Sequence, residues 1–171
     1  MKGRTVRCRK TGSAIAEFGP AMFVLVIIVF FPLLDFLGMA AQYGMAAYVN
    51  YAMSRELACR SVADGTGGSP PAVGTTTPVM AAVNGNQVYT DIVTNGIAAT
   101  GFGSFLGINN GTLTCQAGYT NPSDGTQPTV TCSTVIAAAP FVSVPWFSAT
   151  PGLNAPFNIQ IQSVRPREVL Q

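Results

Sequence analysis

The chain has no histidine, one tryptophan, and only nine basic and seven acidic side chains among its 171 residues. Without histidine it lacks the commonest general base and the commonest metal ligand. Its carboxylates are scattered, with no close pair of the kind that glycoside hydrolysis or metal chemistry needs. No Gly-rich phosphate loop, nucleophile elbow or zinc-ligand spacing occurs. These absences argue against an enzyme and against a bound cofactor or metal. Asp91 and Asp124 lie among amide and turn residues, and read as solvated loop acids in preference to calcium ligands.

Charge is scarce and unevenly placed. Charged residues make up 9%, against roughly 25% in ordinary soluble proteins. The net charge of +2 misleads, because five of the nine Lys/Arg (Lys2, Arg4, Arg7, Arg9 and Lys10) fall in the first ten residues. Without them, four basic residues face seven acidic ones, a net charge of −3. A basic cluster directly before an apolar run sets membrane topology, holding the N-terminus in the cytoplasm. It does not read as a nucleic-acid footprint.

That apolar run has seventeen residues without a charge, from Phe18 to Leu34. At about 1.5 Å per residue it covers roughly 25 Å, somewhat less than a ~30 Å hydrocarbon core. Apolar character resumes past Asp35, so a transmembrane segment over residues 18–41 is expected, with Glu17 near one interface and Asp35 towards the other. Two other readings compete. A secretory signal could be cut at Gly38-Met39-Ala40, although the apolar run is long for one and Asp35 interrupts it. A plain uncleaved anchor would need neither Gly12 nor Glu17.

The pattern predicts an α+β protein in four parts. These are a basic cytoplasmic leader over residues 1–12, a long helix over 13–64, a Gly/Thr/Pro-rich linker over 65–78, and a head domain over 79–171. Pro20 and Pro32 should kink the helix locally. Its later half mixes small and apolar residues (Met39, Tyr43, Ala46, Ala47, Asn50, Tyr51, Ser54, Leu57 and Ala58) at three-and-four spacing. That face could pack on the head or on other subunits. In the head, residues 79–99 suggest a second helix. Segments 112–116, 129–135 and 157–164 suggest about three antiparallel strands, the last with clean period-two alternation. Cys115 and Cys132 fall in two of these strands, beyond an N-in span where oxidation is normal, and are a disulfide candidate with buried free thiols as the alternative. Cys8 and Cys59 have no evident partner. Asn110-Gly111-Thr112 matches a glycosylation acceptor, taken here as chance.

Gly12-Ser13-Ala14-Ile15-Ala16-Glu17-Phe18 resembles the processing site of type IV-like prepilins. In such proteins a membrane peptidase cuts after the glycine and the fifth mature residue is glutamate. Together with Asp35 beyond the apolar run, the juxtamembrane stretch Ser54-Arg55-Glu56-Leu57-Ala58-Cys59-Arg60-Ser61-Val62-Ala63, and the closing Val164-Arg165-Pro166-Arg167-Glu168, the chain resembles the TadE-like family of tight-adherence (Flp-type) pilus systems. Pro20 and Pro32 depart from the family's usual single proline. The resemblance implies cleavage between Gly12 and Ser13 by a prepilin peptidase. It also implies that Glu17 neutralises the freed amine of Ser13 on a neighbouring subunit, with Phe18 serving packing.

The implied role is that of a minor pilin or pseudopilin acting by subunit contact. Its partners would be other pilins or pseudopilins, an inner-membrane assembly platform and membrane lipid, with no nucleic acid. It would sit in a bacterial inner membrane as a single-pass protein, N-terminus cytoplasmic and C-terminal domain periplasmic or extracellular, and could enter a pilus. The alternative is an anchored or secreted envelope adhesin with no part in assembly.

Overall fold

The structure, a computed structural model, describes residues 13–59, 73–78, 87–109, 111–141 and 155–168. The leader with Gly12 and Cys8, the expected helix end over 60–64, Asn110 and Trp146 lie outside the described residues.

Helix α1 is α-helical over Ser13–Leu25, passes through a π-helical turn over Val26–Phe30, and is α-helical again over Phe31–Cys59. The π turn has a cause in the sequence. Pro32 has no N–H to offer the carbonyl of Ile28. The turn before it widens, with the Phe31 N–H donating to Val26 O. Pro20 is absorbed within the first helical stretch.

The two halves of α1 face different surroundings. From Glu17 to Leu34 no side chain is buried. From Asp35 onward a buried stripe begins: Asp35, Gly38, Met39, Gln42, Ala46, Val49, Asn50, Met53, Ser54, Leu57 and Ala58. The three-and-four spacing of that stripe is one helix face. It packs on the head's own sheet, while Tyr43 and Tyr51, expected on the same face, are exposed.

The sheet has four strands in the order β1-β2-β3-β4, all antiparallel: β1 Thr75–Pro78, β2 Leu113–Asn121, β3 Thr129–Ala138 and β4 Phe157–Pro166. The expected three strands are all present, and a fourth, β1, occupies part of the expected linker. Its Thr-Thr-Thr-Pro sequence has no apolar alternation to betray a strand. It is ordered by pairing with the end of β2, including Thr76 Oγ1 to Thr120 Oγ1 at 3.0 Å. A proline is tolerated there because β1 is an edge. The β2–β3 turn relies on Gly125 at φ 77°, a conformation open to glycine at little cost. Asp124 Oδ1 braces that turn by accepting from the N–H and the hydroxyl of Thr126, which holds its carboxyl below the usual range.

Helix α2 is described from Gln87 to Tyr89 and continues as a π-helix over Thr90–Ala98. Residues 79–86 of the expected second helix lie outside the described residues. A short helix, α3, follows at Gly101–Phe105 and was not expected from the sequence. Val88, Tyr89, Val93 and Ile97 of α2 join Leu113, Tyr119, Val130 and Ile136 of the sheet and Val49, Met53 and Leu57 of α1 in one core.

Asn50 is the main polar lock between helix and sheet. Its Nδ2 lies 3.0 Å from Cys132 O, 3.1 Å from Thr134 Oγ1 and 3.0 Å from Ile161 O, bridging β3 and β4. Further along, Tyr119 Oη donates to Leu57 O at 2.7 Å and the Glu168 N–H to Ala58 O at 3.1 Å, giving partners to carbonyls of the last described turn. Arg165 Nε donates to Ser54 Oγ at 3.0 Å, with the guanidinium 4.5 Å from the Tyr51 ring centroid. Replacing Asn50 with leucine keeps the number of side-chain heavy atoms, with somewhat more bulk, but strips two strand carbonyls of a buried donor. The expected cost is about 1–3 kcal/mol of stability, read from chemical denaturation of the detergent-solubilised chain. An unchanged midpoint would show that the lock contributes nothing.

Candidate functional site

The residues singled out by the sequence fall in two separate places. The first is the start of α1. The helix is described from Ser13, and Glu17 stands one turn further on. Four residues of helix rise about 6 Å and return to nearly the same face, so the Ser13 position and the Glu17 carboxylate share one side of the helix. Glu17 and Phe18 are both exposed, and Phe18 opens a run of exposed large apolar side chains that includes Phe23, Leu25, Ile28, Phe30, Leu33 and Leu37. This is the one helix among the described residues that is long and apolar enough to cross a membrane. A monomer in water would leave such a surface uncovered, whereas lipid or other apolar helices match it.

The second place is the buried cysteine pair. Cys115 on β2 and Cys132 on β3 bring their sulfurs to 3.3 Å, both thiols being free. They are diagonal neighbours: Cys115 stands opposite Thr134, and Cys132 opposite Ala117. Thr134 Oγ1 lies 3.3 Å from Cys115 Sγ and also accepts from Asn50, so the pair belongs to a buried polar network that reaches α1. The two sulfurs share a hydrogen bond in which either can donate. That hydrogen bond holds the Cys115 thiol below its ordinary range against the opposing effect of burial, and it pushes Cys132 well above its own. Cys59 is exposed near the end of α1, its sulfur 3.7 Å from Glu168 Oε2, and does not join the pair.

Tyr89 completes this cluster and carried no distinguishing signal in the sequence. It is fully buried, and its hydroxyl donates to Leu113 O at 2.6 Å. Burial, with a smaller contribution from the nearby Cys115, pushes its phenol up to about 12. Asn50 and Gln42 were also not legible as locks. The one available signal was an amide side chain recurring on an otherwise small and apolar helix face. Gln42 Nε2 donates to Leu106 O at 3.0 Å and to Ala139 O at 3.3 Å.

Among the described residues, no three His, Cys, Asp or Glu side chains gather as a cation site. Comparison with family models, with curated proteins and with solved structures finds no match for this chain.

Tyr89 gives the cluster a definite alkaline signature. Its neutral form is the one the fold accommodates, so its contribution is fully present below the ordinary phenol value of 10.0 and is lost as pH rises through about 12. Stability measured by denaturation across that window should fall more steeply in the native sequence than in Tyr89→Phe. Equal slopes would show that another group is responsible.

Proposed function

We propose that this chain is a membrane-anchored, pilin-like subunit of the tight-adherence type, which works by inserting the exposed half of α1 into the bilayer and presenting its head outside the cytoplasm. The observation that carries this reading is the division of α1 at Asp35. One unbroken helix is apolar and uncovered on all sides before that residue, and docked on the head along one stripe after it. An ordinary secretory signal fits poorly, because Gly38 and Met39, at the alternative cleavage site, are buried against the head. A plain anchor leaves the glutamate at the mouth of the span without a purpose. A carboxylate at the centre of a bilayer costs roughly 2.5–3.5 kcal/mol on translocon-based scales, and Glu17 instead lies near the end of the span, where an adjoining subunit can reach it.

Cleavage after Gly12 frees the amine of Ser13. In an assembly, that amine on one subunit and the Glu17 carboxylate on the next neutralise each other. Such an ion pair in a low-dielectric setting contributes register more surely than stability, since desolvation offsets much of the attraction. Phe18 packs beside it. The prepilin peptidase, fellow pilins or pseudopilins, the assembly platform and lipid are the partners this reading requires.

Outside the cytoplasm, Cys115 and Cys132 oxidise to a bridge. Diagonal strand positions stand about 7–8 Å apart at Cα, slightly beyond the usual disulfide reach, so β2 and β3 close a little on oxidation. By loop-closure entropy the bridge stabilises the head by roughly 3 kcal/mol.

Three outcomes test the reading. Protein recovered from membranes should begin at Ser13 by intact mass; a start at Met1 indicates a plain anchor, and one near Ala41 a secreted domain. Glu17→Ala should leave the protein inserted, resistant to alkaline extraction, yet abolish its incorporation into assemblies, and normal assembly of that variant would refute the role given to the carboxylate. Non-reducing peptide mapping should join the Cys115 and Cys132 peptides. Two alkylatable thiols at those positions would place the head in a reducing compartment or show the strands too rigid to close.

A further inference from the structure

The short helix α3 is built to hold two phenylalanines outward. Thr100 caps it, its hydroxyl accepting from the Gly103 N–H at 3.1 Å while donating to Ile97 O at 2.6 Å. Gly103 sits so close to the Ile97 carbonyl that any side chain there would collide with backbone, which fixes the buried side of this turn. Phe102 and Phe105, three apart and therefore neighbours on the helix surface, point away from the core with 56% and 68% of their surface exposed. Phe141 extends the patch, its ring centroid 5.1 Å from that of Phe105 and its surface 39% exposed.

The position of this patch along α1 gives it meaning. The Phe141 ring lies in the notch left by Gly38, where a Cβ would overlap it. Gln42 ties α1 to Leu106 O, just past α3, and to Ala139 O, just before Phe141. The three rings therefore sit beside the first turns of the docked half, next to the point where the uncovered apolar half leaves the head. No charged residue occurs between Asp91 and Asp124 in the sequence. The cations of the head lie at its other end. Arg165 meets Ser54 and Tyr51, and Arg167 stands over Tyr119, whose hydroxyl reaches Leu57 O. Twenty helical residues, about 30 Å, separate that end from Gly38.

Resting on the membrane anchoring proposed above, we infer that Phe102, Phe105 and Phe141 form a second membrane contact, a foot of the head that sits in the headgroup layer of the outer face of the bilayer. α1 is continuous, so burying its exposed half brings the Gly38 level of the head to the bilayer surface. The interfacial layers together add roughly 10–15 Å to the hydrocarbon core and readily accept aromatic rings. Contiguous exposed aromatics, a stretch without charge between Asp91 and Asp124 and the adjoining span all point to lipid, the Asp35 carboxylate one turn before Gly38 being buried away from the surface. The foot, together with α1, fixes the tilt of the head over the membrane.

Depth-dependent fluorescence quenching tests this on the full chain in lipid vesicles. The native tryptophan is removed by Trp146→Phe, and single tryptophans are placed by Phe105→Trp, Phe102→Trp, Ile28→Trp and Thr126→Trp in separate proteins. Vesicle lipids carry bromines either near the headgroup or near the chain ends. The Phe105 and Phe102 probes should be quenched more by the shallow bromines, the Ile28 probe more by the deep ones, and the Thr126 probe at the far β2–β3 turn by neither. If the Ile28 probe is quenched and both foot probes are not, the foot does not exist and the anchor stands; water or another protein then covers the rings. If the Ile28 probe also escapes quenching, the anchor reading falls and the foot with it.

Discussion

The fold rests on a constraint imposed by α1, which must satisfy two different surroundings along one hydrogen-bonded rod. From Phe18 to Leu34 its side chains offer only apolar surface, and a helix is one of the few structures that can carry such a segment into lipid, because its backbone groups are bonded internally. After Asp35 the same rod becomes the central element of a folded domain, with its stripe of small, apolar and amide residues set against β3 and β4. The π turn at Val26–Phe30 lies within the helix and the junction at Asp35 is continuous, so one rod joins the exposed half to the docked half.

The docked half uses polar locks where a soluble core would use larger apolar side chains. Asn50 and Gln42 donate to strand and loop carbonyls, and Tyr119 and Glu168 to carbonyls of the helix's last described turn. Apolar packing alone would let a smooth helix slide along a sheet. Directional bonds at both ends and the middle fix its register, each net worth only about a kilocalorie but costly to leave unmade. The same network runs through Thr134 to the cysteine pair, so the β2–β3 pairing there is tied directly to α1.

Much of this was legible in the sequence, for identifiable reasons. The helix from Ser13, the later strands and the proximity of Cys115 to Cys132 follow from periodicity and composition. β1 was not legible, because a polar Thr-Thr-Thr-Pro edge strand takes its order from a partner forty residues away in sequence rather than from its own pattern. The sequence placed Asp35 towards the far end of the apolar run but did not show that it opens the docked stripe, where it is fully buried. α3 carried no sequence period at all. Gly-Phe-Gly-Ser-Phe becomes a helix through the Thr100 cap and the close approach of Gly103 to Ile97, both tertiary facts.

The start of α1 gives the chain its proposed use. Ser13 and Glu17 share a helix side at the end of the span, an arrangement with little value in a lone subunit and an evident one between subunits. The most direct measurement is solid-state NMR on assemblies mixed from two preparations, one labelled at the Ser13 amine nitrogen and the other at the Glu17 carboxyl carbon. Magnetisation transfer between the two labels, which only neighbouring subunits can give, is the predicted result. Well-ordered assemblies in which no such transfer is seen would contradict the account.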